Sequence, residues 1–343
     1  MNKRKLIGNL LFLVFVFSAM IYYIFQEQDL TKIMIQIGNA NMFYWISGII
    51  CVVLFIACES IIIFYLMKSI KQQVKLLHCF LYSFIGFFFS CITPSASGGQ
   101  PAQVYFMRKD KIPVGISTLI LMIVTITYKM VLIALGIVVL IARPAQIMYY
   151  FQPAIVFFYL GIFLNIVVVG FMIFLIFDPA LARTALINII KFLSKCRILK
   201  GPEKLTNRVN SATEKYKEAA SYFKTHRLVV CNVFLMAVVQ RILLFNVTYL
   251  VYRSFNLSKI SWLTIIFLQG MISVAVDMLP FPGGVGISEK LFLLVFSPVF
   301  GEITLSAMVV SRGLSYYTEL ILSALVTIIA YFTIGKTTEG NDF

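Results

Sequence analysis

Residues 90–110 read SCITPSASGGQPAQVYFMRKD. They follow the run LLHCFLYSFIGFFF, residues 76–89, which is apolar enough to enter a bilayer. Pro94, Gly98, Gly99 and Pro101 then break the helix, and Arg108, Lys109 and Lys111 follow closely. Whether 76–93 crosses the membrane fixes the side on which every later loop lies. A full crossing would put the loop 178–227 outside. That loop carries Arg183, Lys191, Lys195, Arg197, Lys200, Lys204, Arg208, Lys215, Lys217, Lys224 and Arg227 against four acids. Such an arrangement violates the positive-inside rule. The alternative is a re-entrant hairpin: the segment enters, breaks at 94–99 and returns along about 101–107 to its own side. Irregular backbone at that depth requires surrounding protein or a watery cavity. The short return arm puts the expected tip nearer the cytoplasmic side than the midplane.

Composition agrees with a membrane protein. Of 343 residues, 60% are hydrophobic and 13% charged, and the mean hydropathy is +0.93. A soluble chain of this length needs far more polar surface. Six runs reach the ~20 residues a bilayer demands: 8–25, 43–67, 117–142, 153–177, 228–252 and 305–333. The net charge of +15 sits between these runs, where basic loops meet anionic lipid, and no nucleic-acid motif accompanies it. The start, MNKRKLIGNLLFLVFVFSAMIYY, lacks a small-residue cleavage site and reads as a retained first span. Neither the six cysteines nor His78 and His226 form a metal-spaced set, so no metal or cofactor is expected.

A second break resembles the first. WLTIIFLQGMISVAVDMLPFPGGVGISEKLFLLVF, residues 262–296, places Pro280 and Gly284 at the spacing of Pro94 and Gly98. The expected architecture is therefore all-α and polytopic, with about six full transmembrane helices, two Pro/Gly-tipped re-entrant hairpins and an inverted repeat. Residues 1–177 form the first half, with its re-entrant loop at 76–107. Residues 178–227 are a basic cytoplasmic linker, and 228–343 the second half, with its loop at 262–297. A full span at 262–279 stays open on charge alone. In the linker, Leu205, Val209, Ala212, Tyr216, Ala219 and Tyr222 or Phe223 share one helical face. Such a helix either lies on the membrane or is a solvated connector.

Candidate binding groups follow from the breaks and from the charges inside apolar runs. Ser95, Ser97 and Gln100 supply polar side chains, and Gly98 and Gly99 a sharp turn. Pro101 fits the first position of the returning helix, whose N-terminus suits an anion. The second loop offers Gly283, Gly284 and Gly286. There Ser288 is the expected cap, with Glu289 in the first turn and Lys290 to compensate it. Glu59, Lys129, Arg241, Asp277, Arg312 and Glu319 lie in spans, with Tyr316 near the last two. Charges at this depth face the bundle interior and are paired or hydrated. Glu59 with Arg241 is the expected pair across the halves; Arg312 and Glu319, seven apart, share a face. Arginine forks suit phosphate. No G-x-S-x-G, H-E-x-x-H or Walker motif appears.

The two breaks, FFFSCITPSASGGQPAQVYFMRKDKIPVGIS (87–117) and LPFPGGVGISEKLFLLVF (279–296), resemble the signature loops of the lysylphosphatidylglycerol synthase transmembrane-region family, best known from bacterial multiple peptide resistance factors. The resemblance spans essentially the whole chain. It implies a lipid flippase in the bacterial cytoplasmic membrane, moving an anionic or aminoacylated phospholipid of the phosphatidylglycerol or lysyl-phosphatidylglycerol type; Lys3, Arg4 and Lys5, with a second hairpin entering from the outside, make both termini cytoplasmic. In larger members a cytosolic domain makes that lipid from aminoacyl-tRNA. The end at Phe343 leaves no room for it, so the expected partners are the lipid, a separate lipid-modifying enzyme and a second copy of the chain, with no nucleic acid. By family similarity the name would be phosphatidylglycerol lysyltransferase, with antibiotic resistance as the process. The two rival readings are that transferase and a non-catalytic membrane scaffold. The expected headgroup seat lies near 97–100 and 283–286, with Arg241 and Arg312 on the phosphate and Glu59, Asp277 or Glu319 available to couple a proton.

Overall fold

The computed structural model describes residues 30–178, 183, 184, 187, 202–279, 281 and 284–334. The first expected span, 8–25, the glycine at 283 and most of the linker before 202 lie outside these. All regular elements among the described residues are helical. A short helix α1 (Leu30–Gly38) precedes α2 (Met42–Ser69), and α3 (Leu76–Ile92) and α4 (Gly99–Lys109) flank the first break. Next come α5 (Val114–Ala142) and α6 (Ala145–Phe177, with a 3-10 turn at Gln152–Ala154), then α7 (Pro202–Thr225). Helix α8 (Arg227–Ser254) leads to α9 (Trp262–Val276) and α10 (Ile287–Phe300), which flank the second break. The last helix, α11 (304–334), is α-helical over Thr304–Arg312, π-helical over Gly313–Tyr317 and α-helical again over Thr318–Ile334. Five of the six expected spans are thus seen, and the chain is an all-helical, multi-pass membrane protein.

Side-chain contacts fix the direction of each element. Helices α2 and α8 are antiparallel: Gln240 donates to the Phe55 carbonyl at 3.2 Å, Asn232 to the Tyr65 hydroxyl at 2.9 Å, and the Asn41 N–H to the Ser254 carbonyl at 2.9 Å. The end of α2, the start and end of α3–α4, and the starts of α5 and α8 lie on one face. That face carries Lys68, Lys71, Lys75, Arg108, Lys109, Lys111, Lys215, Lys217, Lys224 and Arg227 and is called the basic face below.

The first break is a hairpin. His78, at the start of α3, lies 2.5 Å from the Asp110 carboxylate just past α4, and Tyr82, one turn deeper, donates to the same carboxylate. Near the tip the arms touch through glycine: a β-carbon on Gly99 would lie 2.1 Å from Ser90 Oγ and 2.7 Å from the Gly86 carbonyl oxygen. The arms of 17 and 11 residues reach about 25 and 16 Å, short of the ~30 Å hydrocarbon core. The segment therefore enters from the basic face and returns to it.

The second break is a hairpin from the opposite face. Tyr252, near the end of α8, accepts the Ile260 N–H at 2.9 Å, one residue before the Ser261 cap of α9. Its ring packs 5.6 Å from that of Phe300, the last residue of α10. Both ends of α9–α10 thus sit where α8 ends, and 262–279 is re-entrant rather than a full span. Corresponding helix starts recur at nearly constant distance: Met42 to Arg227 (185 positions), Leu76 to Trp262 (186) and Val114 to Thr304 (190). Each element of the second set runs opposite to its counterpart, as in inverted-repeat transporters.

One large apolar cluster fills the end bounded by α1 and the α9–α10 base, and another the basic end. Helix α7 belongs to the second: Tyr216, Ala219, Ala220 and Phe223 are buried there. The Tyr216 hydroxyl donates to the Leu175 carbonyl at 3.4 Å, and burial pushes this phenol up to about 12. Helix α7 is thus packed onto the spans and is no solvated connector. The side chains of Leu205 and Val209 lie outside the described set.

Candidate functional site

The two hairpin tips meet. Ser95 Oγ donates to the Leu279 carbonyl at 3.2 Å, and Tyr316 of α11 donates to the Cys91 carbonyl at 3.0 Å. Cys91, Val285 and Tyr316 form a small apolar cluster at the junction. The first tip therefore reaches its counterpart instead of stopping near the basic face as the short arm suggested. Around the junction lies a cavity of about 340 Å³, within the ~300–1,000 Å³ of small-molecule sites. Ser95, Gln100, Arg241, Gly284, Arg312, Tyr316, Glu59, Asp277 and Glu319 line it. The expected site residues Ser97, Gly98, Gly99, Gly286, Lys290, Lys129 and Glu289 stand outside the wall.

The first tip is strained. Pro94–Ser97 is a β-turn closed by the Ser97 N–H on the Pro94 carbonyl at 3.1 Å, with Ser95 and Ala96 at φ of 49° and 54°. Two positive φ values in succession normally call for Asn-Gly. Thr93 Oγ1 accepts the Gly98 N–H at 2.8 Å. Helix α4 starts at Gly99, so Pro101 is its third residue and not its first, a position whose N–H is still unneeded. Substitution of Ala96 by glycine is expected to stabilise the protein by up to about 1 kcal/mol, read as a higher melting temperature. A lower one would mean the turn is not strained.

Two ion pairs hold the second tip from both sides. Lys129 of α5, 2% exposed, pairs with Asp277 after α9 and reaches Asn165 Oδ1 of α6 at 3.4 Å. Arg312 Nε meets Glu289 Oε1 at 2.7 Å. Glu289 Oε2 also accepts the Gly286 N–H at 2.5 Å and the Ser288 hydroxyl at 3.0 Å. This corrects two expectations. The cap of α10 is Gly286, at φ 93°, where glycine pays no steric cost, and Ser288 lies within the first turn. The partner of Glu289 is Arg312, because its side chain points into the bundle while Lys290 is exposed.

The expected Glu59–Arg241 pair does not form. Glu59 accepts from Gln103 Nε2 at 3.0 Å, and Glu319 from Cys91 Sγ at 3.6 Å. The Arg241 guanidinium instead lies over the Tyr128 ring at 4.5 Å and the Phe55 ring at 5.2 Å, favourable cation–π distances. Its Nε is buried and lacks a hydrogen-bond partner. Arg241 is within electrostatic reach of both Glu59 and Glu319. With Asp277 and Glu289 neutralised by their partners, two carboxylates and one guanidinium are left to the cavity. Sequence reasoning missed Gln103 and the chain Gln269–Thr248–Ser311, with contacts of 3.0 and 3.3 Å. The available signal was an uncharged polar residue inside an apolar run.

The sequence profile of the lysylphosphatidylglycerol synthase TM region matches residues 7–323. The chain belongs to this family. The matched span includes every element that builds the cavity, from Phe55 to Glu319. No curated protein matches the chain. Membership in the lysylphosphatidylglycerol synthase TM region family connects the fold with membrane lipid. Among the described residues no group of three or more His, Cys, Asp or Glu is placed to hold a metal.

Proposed function

We propose that this protein is a lipid flippase that carries the headgroup of an anionic or aminoacylated phospholipid, of the phosphatidylglycerol or lysyl-phosphatidylglycerol type, through the central cavity. The acyl chains stay in the bilayer, and rocking of one half of the chain against the other alternates access. The observation that carries this reading is Arg241: a guanidinium with a buried, unbonded Nε, lining the cavity where the two tips meet. A buried donor without a partner calls for an explanation, and a phosphate oxygen supplies one. Glu59 and Glu319, within electrostatic reach, offer carboxylates to the ammonium of an aminoacyl headgroup. A scaffold would have sealed these charges in pairs. The basic face is the cytoplasmic one by the positive-inside rule, in a bacterial cytoplasmic membrane.

The test is transbilayer movement of labelled phosphatidylglycerol and of its lysyl derivative in liposomes. Arg241 is a cleaner probe than Arg312, whose removal would strand Glu289. Substitution of Arg241 by alanine is expected to weaken headgroup retention by about 2 kcal/mol or more, roughly thirty-fold, and to reduce movement of both lipids. The double substitution Glu59→Gln/Glu319→Gln is expected to slow the lysyl lipid selectively. Wild-type movement no faster than in empty liposomes, for either lipid, would refute the reading.

A further inference from the structure

The outward faces of the helices differ in composition. On α6 the exposed residues include Val156, Phe157, Leu160 and Phe163, and on α11 Ile321, Leu325 and Ile328. These are surfaces for acyl chains. On α4 the exposed residues are Gln100, Pro101, Tyr105 and Arg108, with no Val, Leu, Ile, Met or Phe among them, while Gln103, Phe106 and Met107 point inward. Pro101, Tyr105 and Arg108 stand at i, i+4 and i+7, a single stripe along the arm. The stripe begins at the basic face, beside the His78–Asp110 contact, and runs up about 12 Å. It ends at Gln100, which is exposed and also lines the cavity, where its amide donates to Thr125. The exposed turn 94–97 continues it, and Ser95 and Ala96 of that turn reach the cavity wall.

Polar side chains left against hydrocarbon at this depth are costly. The cost disappears if the stripe is lined by headgroups instead of tails. We infer that the outward face of α4 is a headgroup track. A phospholipid of the basic-face leaflet sets its phosphate on Arg108, slides its headgroup past Tyr105 to Gln100 and enters the cavity there, its tails remaining in lipid. Arg108 supplies a planar fork for phosphate, Tyr105 an amphipathic side chain suited to the interface, and the Gln100–Thr125 contact is the threshold. The occupant is a phospholipid headgroup, because the track lies on the outward face of the hairpin's return arm and is continuous with the cavity. This inference rests on the lipid reading given above.

The experiment scores contact and not transport, so its failure is distinct from failure of that reading. The full chain is reconstituted in phosphatidylglycerol vesicles with the photoreactive amino acid p-benzoylphenylalanine at position 105 or, as control, at 163. After irradiation, mild alkali removes ester-linked chains, and the labelled peptides are weighed. An adduct through the headgroup keeps the glycerophosphoglycerol mass; one through a tail keeps a fatty-acid mass. Position 105 is expected to keep the headgroup mass and position 163 the fatty-acid mass. A fatty-acid mass at 105, a cross-link to another segment of the chain, or no lipid adduct there would overturn the track.

Discussion

Substitution of Asp277 by asparagine is expected to cost about 3–5 kcal/mol of stability. The side chain of Lys129 is 3% exposed and that of Asp277 18%, so the mutation leaves an ammonium in the bundle with neutral acceptors alone, among them Asn165 and the Met278 sulfur. The reciprocal change, Lys129→Met, strands a carboxylate that borders the cavity and keeps access to any water there, so it should cost less. The double variant removes both charges and should recover most of the loss, because no uncompensated charge then remains buried. Thermal unfolding of the two single variants and the double variant in one lipid mixture decides the matter. Additive losses would show that the two side chains contribute packing alone, with no coupling between α5 and the second tip.

The second large effect concerns Gly99. A β-carbon there already collides with Ser90 Oγ and the Gly86 carbonyl. The carbonyl is backbone and cannot rotate away. Gly99→Val is therefore expected to force the arms of the first hairpin apart at its tip, at a cost of about 1–3 kcal/mol or more. The readout is geometric. Cysteines placed at 78 and 110 in a background without native cysteines should be joined by a short bismaleimide when glycine occupies 99, and much more slowly with valine. Equal rates would mean that the base of the hairpin is held independently of its tip. Absence of cross-linking even with glycine would place the ends of α3 and α4 on different faces, contrary to the His78–Asp110 contact.

Much of this architecture is legible in the chain because membrane physics is restrictive. Length, apolarity and loop charge are enough to place the spans and to require that 76–93 turn back. The spacing of Pro94–Gly98 and Pro280–Gly284 points to a repeat. The pairing of charges is another matter. Every ionisable residue of the cavity could be named from its place in an apolar run, yet Glu59 bonds Gln103 and Arg312 bonds Glu289. Partner choice depends on helix rotation and on the meeting of the two tips, and no one-dimensional pattern encodes either. The π turn at 313–317, which resets the phase of α11 between Arg312 and Glu319, is equally silent in composition.

The meeting of the tips also has an electrical consequence. A membrane voltage falls mainly across its most insulating layer. Two hairpins from opposite faces abut through Ser95 and Leu279; were water to reach each tip from its own side, that layer would shrink from the full bilayer to the thickness of one contact. Nearly the whole potential would then drop over Cys91, Val285, Tyr316 and their neighbours. A charge displaced by a few ångströms there would do almost the work of crossing the entire membrane, about 2.3 kcal/mol per 100 mV. The field would then be focused on the few cavity side chains around Arg241, Glu59 and Glu319.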